Sequence, residues 1–120
     1  MTVVENEYCR VTNDNAPSYR RSLPAEDAVA ATGELFRVLG SPTRVRILSV
    51  LKEQPLCVSC LSTVLEMEQS AVSQQLKVLR HNRLVKSRRV GKLSVYSLDD
   101  QHVDGLIRLA LDHVRERNSV

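Results

Sequence analysis

Aromatic residues are scarce in this chain of 120 residues, where they make up 3% of the sequence and tryptophan is absent. Proteins that read single-stranded nucleic acid or RNA stack bases on aromatic side chains, so this composition argues against that class. No apolar run is long enough to cross a bilayer, and no basic-then-apolar signal segment opens the chain. We therefore expect a cytoplasmic protein with no membrane partner.

Cysteine is also sparse, and the charge is only mildly positive. Three cysteines, an odd number, do not make a disulfide framework, and in a reducing cytosol spaced cysteines more often bind metal or react. Lys and Arg number 17 against 14 Asp and Glu, a formal net charge of +3. Such an excess permits nucleic-acid binding without requiring it, so the positions of the charges must decide.

The chain length fits one domain, preceded by a tail. Residues 1–23 are polar and lack a sustained apolar period, which predicts a flexible N-terminal tail. Within residues 24–118, helical periodicity predicts four successive helices before any strand. Pro24 is predicted to open the first of these helices and Ser70 to cap the fourth.

The pattern changes after the fourth helix. Residues 84–98 are rich in strand formers, and Gly91-Lys92 is suited to a two-residue type II′ hairpin turn. A last helix is predicted over about residues 99–117. The order ααααββα predicts a mostly helical winged helix-turn-helix, with the hairpin as its wing.

The fourth helix has the two faces that a DNA-reading helix needs. If Val72, Leu76 and Leu79 point inward, short hydroxyls, amides and a cation lie opposite, and these suit base edges and phosphates. Acidic residues are absent from residues 69–83, and the hairpin that follows is basic. We therefore expect double-stranded DNA as a partner, contacted by Ser70, Ser73, Gln74, Gln75, Lys77, Arg80, Arg88, Arg89 and Lys92.

The last helix carries a set of metal-ligand residues in two pairs. Asp100 and His102 lie at its start, while His113 and Glu116, three residues apart, share a face. The pairs are about 16 Å apart along a helix, and zinc–ligand bonds are about 2 Å long, so one chain cannot bring them together.

Antiparallel pairing with a second copy solves this problem. A two-fold axis near Ile107 sets the first pair of one chain against the second pair of the other, and it does so twice. Leu106 and Leu109 lie on the same face and predict an apolar seam between the two metal sites. The pattern thus predicts a homodimer formed through the last helices.

The cysteines offer a second candidate metal site. Cys57 and Cys60 have metal-ligand or redox spacing at a predicted helix N-terminus, where thiolates are favoured. Cys9, in the predicted tail, is a candidate third sulfur ligand. These residues also leave open a structural reading, in which Cys60 is a small core residue and Cys9 has no role.

These features resemble the ArsR/SmtB family of metal-sensing repressors over about residues 27–117. The resemblance rests on residues 36–44, 56–58 and 70–76, on Gly91-Lys92, and on Tyr96-Ser97-Leu98. Asp100, His102, His113 and Glu116 match all four positions of the family's zinc site on the last helix. The resemblance implies a homodimer that binds a palindromic operator and releases it when metal binds.

The sulfur residues depart from the family pattern. Members with a thiolate site usually show Cys-Val-Cys-Asp, whereas here Ser59 stands at the second cysteine position and Cys60 at that of the aspartate. Two histidines and two carboxylates suit Zn(II), and Co(II) can substitute for it. A site that includes thiolates would also bind Cd(II) or Pb(II), and Ni(II) is a further candidate metal.

These residues are compatible with three functions. The first is a metal-responsive repressor, and the second is a winged-helix repressor that senses thiol-reactive compounds or oxidants through Cys57 and Cys60. The third is a thiol-disulfide enzyme, but the βαβ pattern that accompanies such motifs is missing, and so is a nucleophile-base pair. We expect a repressor and no enzyme.

Overall fold

The computed structural model describes residues 7–118, and contacts divide the chain into a unit that ends at Glu34 and a unit that begins at Leu35. No helix in this described range is long and apolar enough to cross a membrane. The elements in chain order are α1 (Ala16–Arg20), α2 (Glu26–Leu39), α3 (Pro42–Glu53), β1 (Leu56–Cys57), α4 (Val58–Leu65), α5 (Gln69–His81), β2 (Val85–Val90), β3 (Leu93–Leu98) and α6 (Gln101–Asn118).

The N-terminal unit contains a short helix, α1, inside the segment predicted as a tail. The side chain of Asn15 orders the turn before it, accepting from the Thr12 amide at 2.7 Å and donating to the Arg10 carbonyl at 2.8 Å. Helix α2 begins at Glu26, so the prediction that Pro24 opens it was wrong by two positions. The division of the chain at residue 23 stays a prediction.

The core of the second unit is aliphatic and draws on every helix from the end of α2 onward. Leu76 and Leu79 are fully buried, as is Val72, which confirms the inward face predicted for α5. The buried core residues are Val38, Ile47, Leu48, Leu51, Leu61, Val72, Leu76, Leu79, Leu84, Val85, Val103 and Ile107. Burying a leucine or valine side chain contributes about 1.5–3 kcal/mol, so this cluster dominates the stability of the unit.

The sheet has three antiparallel strands in the order β1-β3-β2. The predicted hairpin is confirmed, since β2 pairs with β3 from Val85↔Leu98 to Val90↔Leu93. Strand β1 was not predicted, because two residues are too few to show an alternating pattern. It pairs Cys57 with Val95 and so attaches the start of α4 directly to the wing.

Helices α4 and α5 form the helix-turn-helix, joined by a turn at Glu66 and Met67. Glu66 ends α4 in the left-handed conformation, and the Ser62 hydroxyl donates to the Met67 carbonyl. Helix α5 begins at Gln69 with Glu68 at its N-cap position. The prediction that Ser70 caps this helix was therefore wrong, and Ser70 lies within its first turn with an exposed side chain.

The hairpin loop yields a stability prediction. Gly91 has φ +60 and nothing within 4 Å of an added Cβ, so Gly91→Ala meets backbone strain alone. We expect it to lower the free energy of unfolding by about 1–2 kcal/mol. Gly33→Ala, in a helix and also without close neighbours, is the control and should raise it by about 1 kcal/mol. Urea unfolding at fixed protein concentration measures both, and an equal effect of the two substitutions would contradict the strain argument.

Candidate DNA interface and metal centre

Burial of one face of α5 leaves the opposite face to solvent. Ser70, Ser73, Gln74 and Lys77 all have exposed side chains and recur at helical spacing on that face. Residues 69–98 contain seven Lys and Arg and no Asp or Glu. This stretch therefore forms a basic edge with hydroxyl and amide groups at its centre, suited to phosphates and to base edges.

The basic residues of the wing divide between its two faces. Arg88 lies opposite Val95 and Arg89 opposite Ser94 in the β2–β3 ladder, and successive residues of a strand point to opposite sides. Arg89 therefore shares a face with Ser87 and its partner Tyr96, while Arg88 shares the other face with Lys86. Lys92 is exposed in the loop.

A cleft of about 520 Å³ lies between α5 and β3, lined by Ser73, Lys77, Arg80, His81 and Tyr96. Neither His81 nor Tyr96 is among the DNA contacts predicted from the sequence. His81 could have been found from its position one turn after Lys77. Tyr96 could not have been found from the sequence, because its position beside α5 depends on how β3 pairs in the sheet. The cleft combines cationic groups with a hydroxyl from each element, a set that suits an anion.

Gln75 differs from the other candidates on α5. Its side chain is half-buried, and its Oε1 accepts a hydrogen bond from Nε of Arg44 on α3 at 3.0 Å. At about 100° per residue, Gln75 lies far round the helix from the centre of the exposed face. The structure thus sets Gln75 apart from Ser70, Ser73, Gln74 and Lys77.

Asp100 caps the last helix. Its Oδ1 accepts from the backbone N–H groups of His102 at 2.9 Å and Val103 at 3.1 Å. The Val103 hydrogen bond is the main cause that holds the pKa of Asp100 below its usual value, and it outweighs the opposing effect of desolvation. Oδ2 of Asp100 lies 3.4 Å from Nδ1 of His102, whose side chain is 91% exposed. The first predicted ligand pair is therefore brought together.

The second pair, His113 and Glu116, lies on the same α6 helix, and both side chains are exposed. Within residues 7–118 no three His, Cys, Asp or Glu side chains are grouped so that they could hold a metal ion. The helix keeps the two pairs apart, as its rise per residue requires. A four-ligand site from these residues therefore needs a second chain.

An apolar groove of about 370 Å³ runs along α6, where the end of α2 and the start of α3 meet it. Ile107 faces the core and is 3% exposed, whereas Leu109 is 70% exposed and Leu106 lies at the edge between them. Leu109 lies on the helix face of His113 and Glu116. The groove is lined by Phe36, Leu39, Gly40, Val45, Leu106, Ile107, Ala110, Leu111 and Val114.

The cysteines lie at the start of α4, apart from exposed Cys9 in the N-terminal unit. Sγ of Cys57 is 3.3 Å from Oγ of Ser59. This hydrogen bond, followed by those from the backbone and thiol of Cys60, lowers the pKa of Cys57 to about 7. The hydrogen bond with Cys57, followed by the charge of Cys57, raises the pKa of Cys60. Ser59, which stands where a family cysteine was expected, thus supports an anionic sulfur at Cys57.

Comparison with known proteins agrees with this geometry. Residues 41–87 match the model of the bacterial regulatory protein, arsR family. The "Transcriptional repressor SmtB homolog" of a Synechocystis strain is 46% identical over 75% of this chain and 68% of its own. The "Cadmium resistance transcriptional regulatory protein CadC homolog" of Staphylococcus aureus is 33% identical over 95% of this chain and 97% of its own.

A solved structure adds to these matches. The solution structure of apo-NmtR, a regulator of Mycobacterium tuberculosis, superimposes with a TM-score of 0.68 and 42% identity, covering 79% of this chain and 81% of that one. The relatives are transcriptional regulators and not enzymes, which confirms that expectation. The winged helix-turn-helix fold and the resemblance drawn from the sequence are confirmed as well. This chain belongs to the ArsR/SmtB family of DNA-binding transcriptional repressors.

Proposed function

We propose that this protein represses transcription as a homodimer on a palindromic operator and leaves the operator when Zn(II), or a similar divalent metal, binds at the last helices. Operators of bacterial repressors lie in the cytoplasm, which is where the protein acts. The observation that carries the proposal is the Asp100–His102 pair, held together at 3.4 Å on a helix whose other ligand pair cannot reach it within one chain.

The basic edge supports the DNA-binding step. Ser70, Ser73 and Gln74 are the groups that read base edges, since they lie exposed at the centre of the α5 face. Lys77 and Arg80 bind backbone phosphate together with His81 and Tyr96, because all four line the cleft between helix and wing. Phosphate contacts of the wing come from Arg88, Arg89 and Lys92.

The apolar groove supports the homodimer. Phe36 and Val114 in the groove are 58% and 52% exposed and Leu109 beside it is 70% exposed, so burying the remaining surface of each would contribute about 1–2 kcal/mol. A second copy of α6 presents the same exposed leucine and valine, so the surface is complementary to itself, as a two-fold interface requires. Leu106 and Leu109 then separate the two metal sites along the paired helices.

The donor set fits a divalent metal. Asp100 and His102 of one copy, with His113 and Glu116 of the other, supply two imidazole nitrogens and two carboxylates, the donors that suit Zn(II) and Co(II). Asp100 keeps Oδ2 for this purpose, because the helix cap uses only Oδ1. Ligands shared between two copies fix their relative orientation, and with it the spacing of the two α5 helices on the half-sites.

The cysteine pair favours a second candidate, a thiol-sensing repressor. The hydrogen bond with Ser59 lowers the pKa of Cys57 to about 7, which favours its thiolate, and Cys60 is near enough to resolve a mixed disulfide. The two thiols would lose two protons and two electrons to a disulfide reagent and form one S–S bond. Cys9, Cys57 and Cys60 also remain the candidate thiolate metal site, which suits Cd(II) or Pb(II) and leaves Ni(II) to be tested.

The DNA assignment predicts two kinds of loss, measured on duplexes that the wild-type protein selects from a random library. Gln74→Ala should lower the ratio of operator to random-sequence affinity about tenfold, because it removes a base contact. Lys77→Ala should weaken binding to both duplexes and lower the slope of log affinity against log salt by about 1. An unchanged ratio in Gln74→Ala would contradict the assigned reading face.

The dimer assignment predicts that Leu109→Glu yields monomers. Because Leu109 is 70% exposed, its replacement leaves the core of the single chain intact while placing two carboxylates against each other in the seam. Sedimentation velocity measures the state, with Arg108→Ala on another face of α6 as the control. A Leu109→Glu protein that sediments as a dimer would show that the seam lies elsewhere.

The switch predicts a separation of DNA binding from metal response. Zinc should lower the operator affinity of the wild type by about 5- to 150-fold. His113→Ala and Asp100→Asn should bind the operator normally but fail to respond. Asp100→Asn keeps the helix cap through its amide oxygen, so its stability should match wild type, whereas Asp100→Ala should lose about 1 kcal/mol.

The cysteine variants are the control for this experiment. Cys57→Ser combined with Cys60→Ser should still release the operator on zinc addition and should no longer respond to a disulfide-forming oxidant such as diamide. If zinc still releases DNA from the His113→Ala protein, the zinc-responsive site is not on α6, and Cys9, Cys57 and Cys60 become the candidate sensor.

A further inference from the structure

Arg44 joins three helices through one side chain. It lies in the first turn of α3, where its backbone N–H donates to the Oγ of the N-cap residue Ser41 at 3.4 Å. Its Nη1 donates to the Val38 carbonyl at 3.3 Å, and its Nε donates to Gln75 Oε1 at 3.0 Å. The guanidinium thus connects the end of α2 and the start of α3 to the middle of α5.

The two acceptors of Arg44 lie next to the two surfaces described above, the apolar groove and the exposed face of α5. Val38 is fully buried in the last turn of α2, directly before Leu39 and Gly40 of the apolar groove. Gln75 directly follows Ser73 and Gln74, whose side chains are exposed on the reading face. A carbonyl in the last turn of a helix has no partner within that helix, so Arg44 satisfies a group that burial would otherwise penalise.

We propose that Arg44 is a positioning residue that sets the rotation of the reading helix α5, through Gln75, relative to the α2–α3 corner. In this proposal Gln75 accepts the hydrogen bond from Arg44 and does not contact bases. The inference rests on the proposed function, since it assumes that α5 reads DNA. It assigns sequence discrimination to a residue on a different helix from the base-reading side chains.

The planar guanidinium reaches its two acceptors from different nitrogens, Nε and Nη1. A lysine presents its three donors from a single nitrogen on a flexible stem, so it does not reproduce this geometry. The buried residues of α5 are aliphatic, and apolar contacts are non-directional, so they oppose a small rotation about the helix axis less than a hydrogen bond does. The Arg44–Gln75 bond supplies a directional constraint on that angle.

The test measures the affinity of full-length variants for a duplex that the wild type selects from a random library and for a scrambled duplex, at several salt concentrations. Arg44→Lys should lower the ratio of the two affinities about tenfold, with scrambled-duplex affinity and salt slope unchanged. Gln75→Leu should lower the ratio equally, and the double variant no further, since both remove one contact. Arg46→Lys, an exposed neighbour on α3, is the matched control.

Gln75→Glu separates positioning from base reading. It keeps the acceptor for Arg44, so the affinity ratio should hold, whereas a base-reading Gln75 would lose its amide donors and the ratio would fall. An unchanged ratio in Arg44→Lys, additive losses in the double variant, or a lower salt slope would overturn the proposal. If Arg44→Lys is unstable in urea unfolding, the two Gln75 variants decide alone. Failure of the wild type to select any duplex would instead refute the proposed function.

Discussion

Burial of one face of α5 is the constraint on which the rest of the site depends. Val72, Leu76 and Leu79 are fully buried, so this face of the helix must turn toward the core. Helical geometry then places the hydroxyl, amide and cationic side chains of α5 together on the solvent-exposed face. The core packing and the DNA-facing surface are therefore two results of the same three aliphatic residues.

The constraint on the last helix, α6, is the distance along it between its two ligand pairs. Two ligand pairs eleven residues apart cannot meet in one chain, and the side of α6 that carries them is not the side that packs into the core. Val103 and Ile107 hold the helix to its own chain, while Leu109 stays exposed beside the ligands. One face of the helix thus serves folding, and the proposed function assigns the other to a second copy, which is why it couples metal binding to dimer geometry.

The sequence was a good guide wherever apolar periodicity was long and regular. It predicted the inward face of α5, the hairpin with its two-residue loop, and the extent of α6 to within about two residues. It failed where the determinant was short or distant. Strand β1 has two residues, and helix α1 has five, too few for any period to show. Ser70 looked like a cap by residue type, but helix α5 begins one residue earlier, at Gln69.

The candidate site shows the same division. Asp100 and His102 come together because they are close in sequence and share a helix start, which the pattern could predict. The surroundings of Tyr96 and Gln75 could not be predicted in this way. The position of Tyr96 depends on the register of β3, and the partner of Gln75 is Arg44, 31 positions away in the sequence.

Gln75 sits between readers of DNA in the sequence but faces Arg44 in the fold. Its neighbours along α5 predict a DNA contact for Gln75, whereas its hydrogen bond to α3 is the observation behind the positioning role that we propose for it. A reading helix held by aliphatic packing alone would keep its buried face but could rock about its axis. The guanidinium of Arg44 adds the directional bond that such packing lacks, and it does so between α5 and the last turn of α2, the turn that precedes Leu39 and Gly40 of the apolar groove.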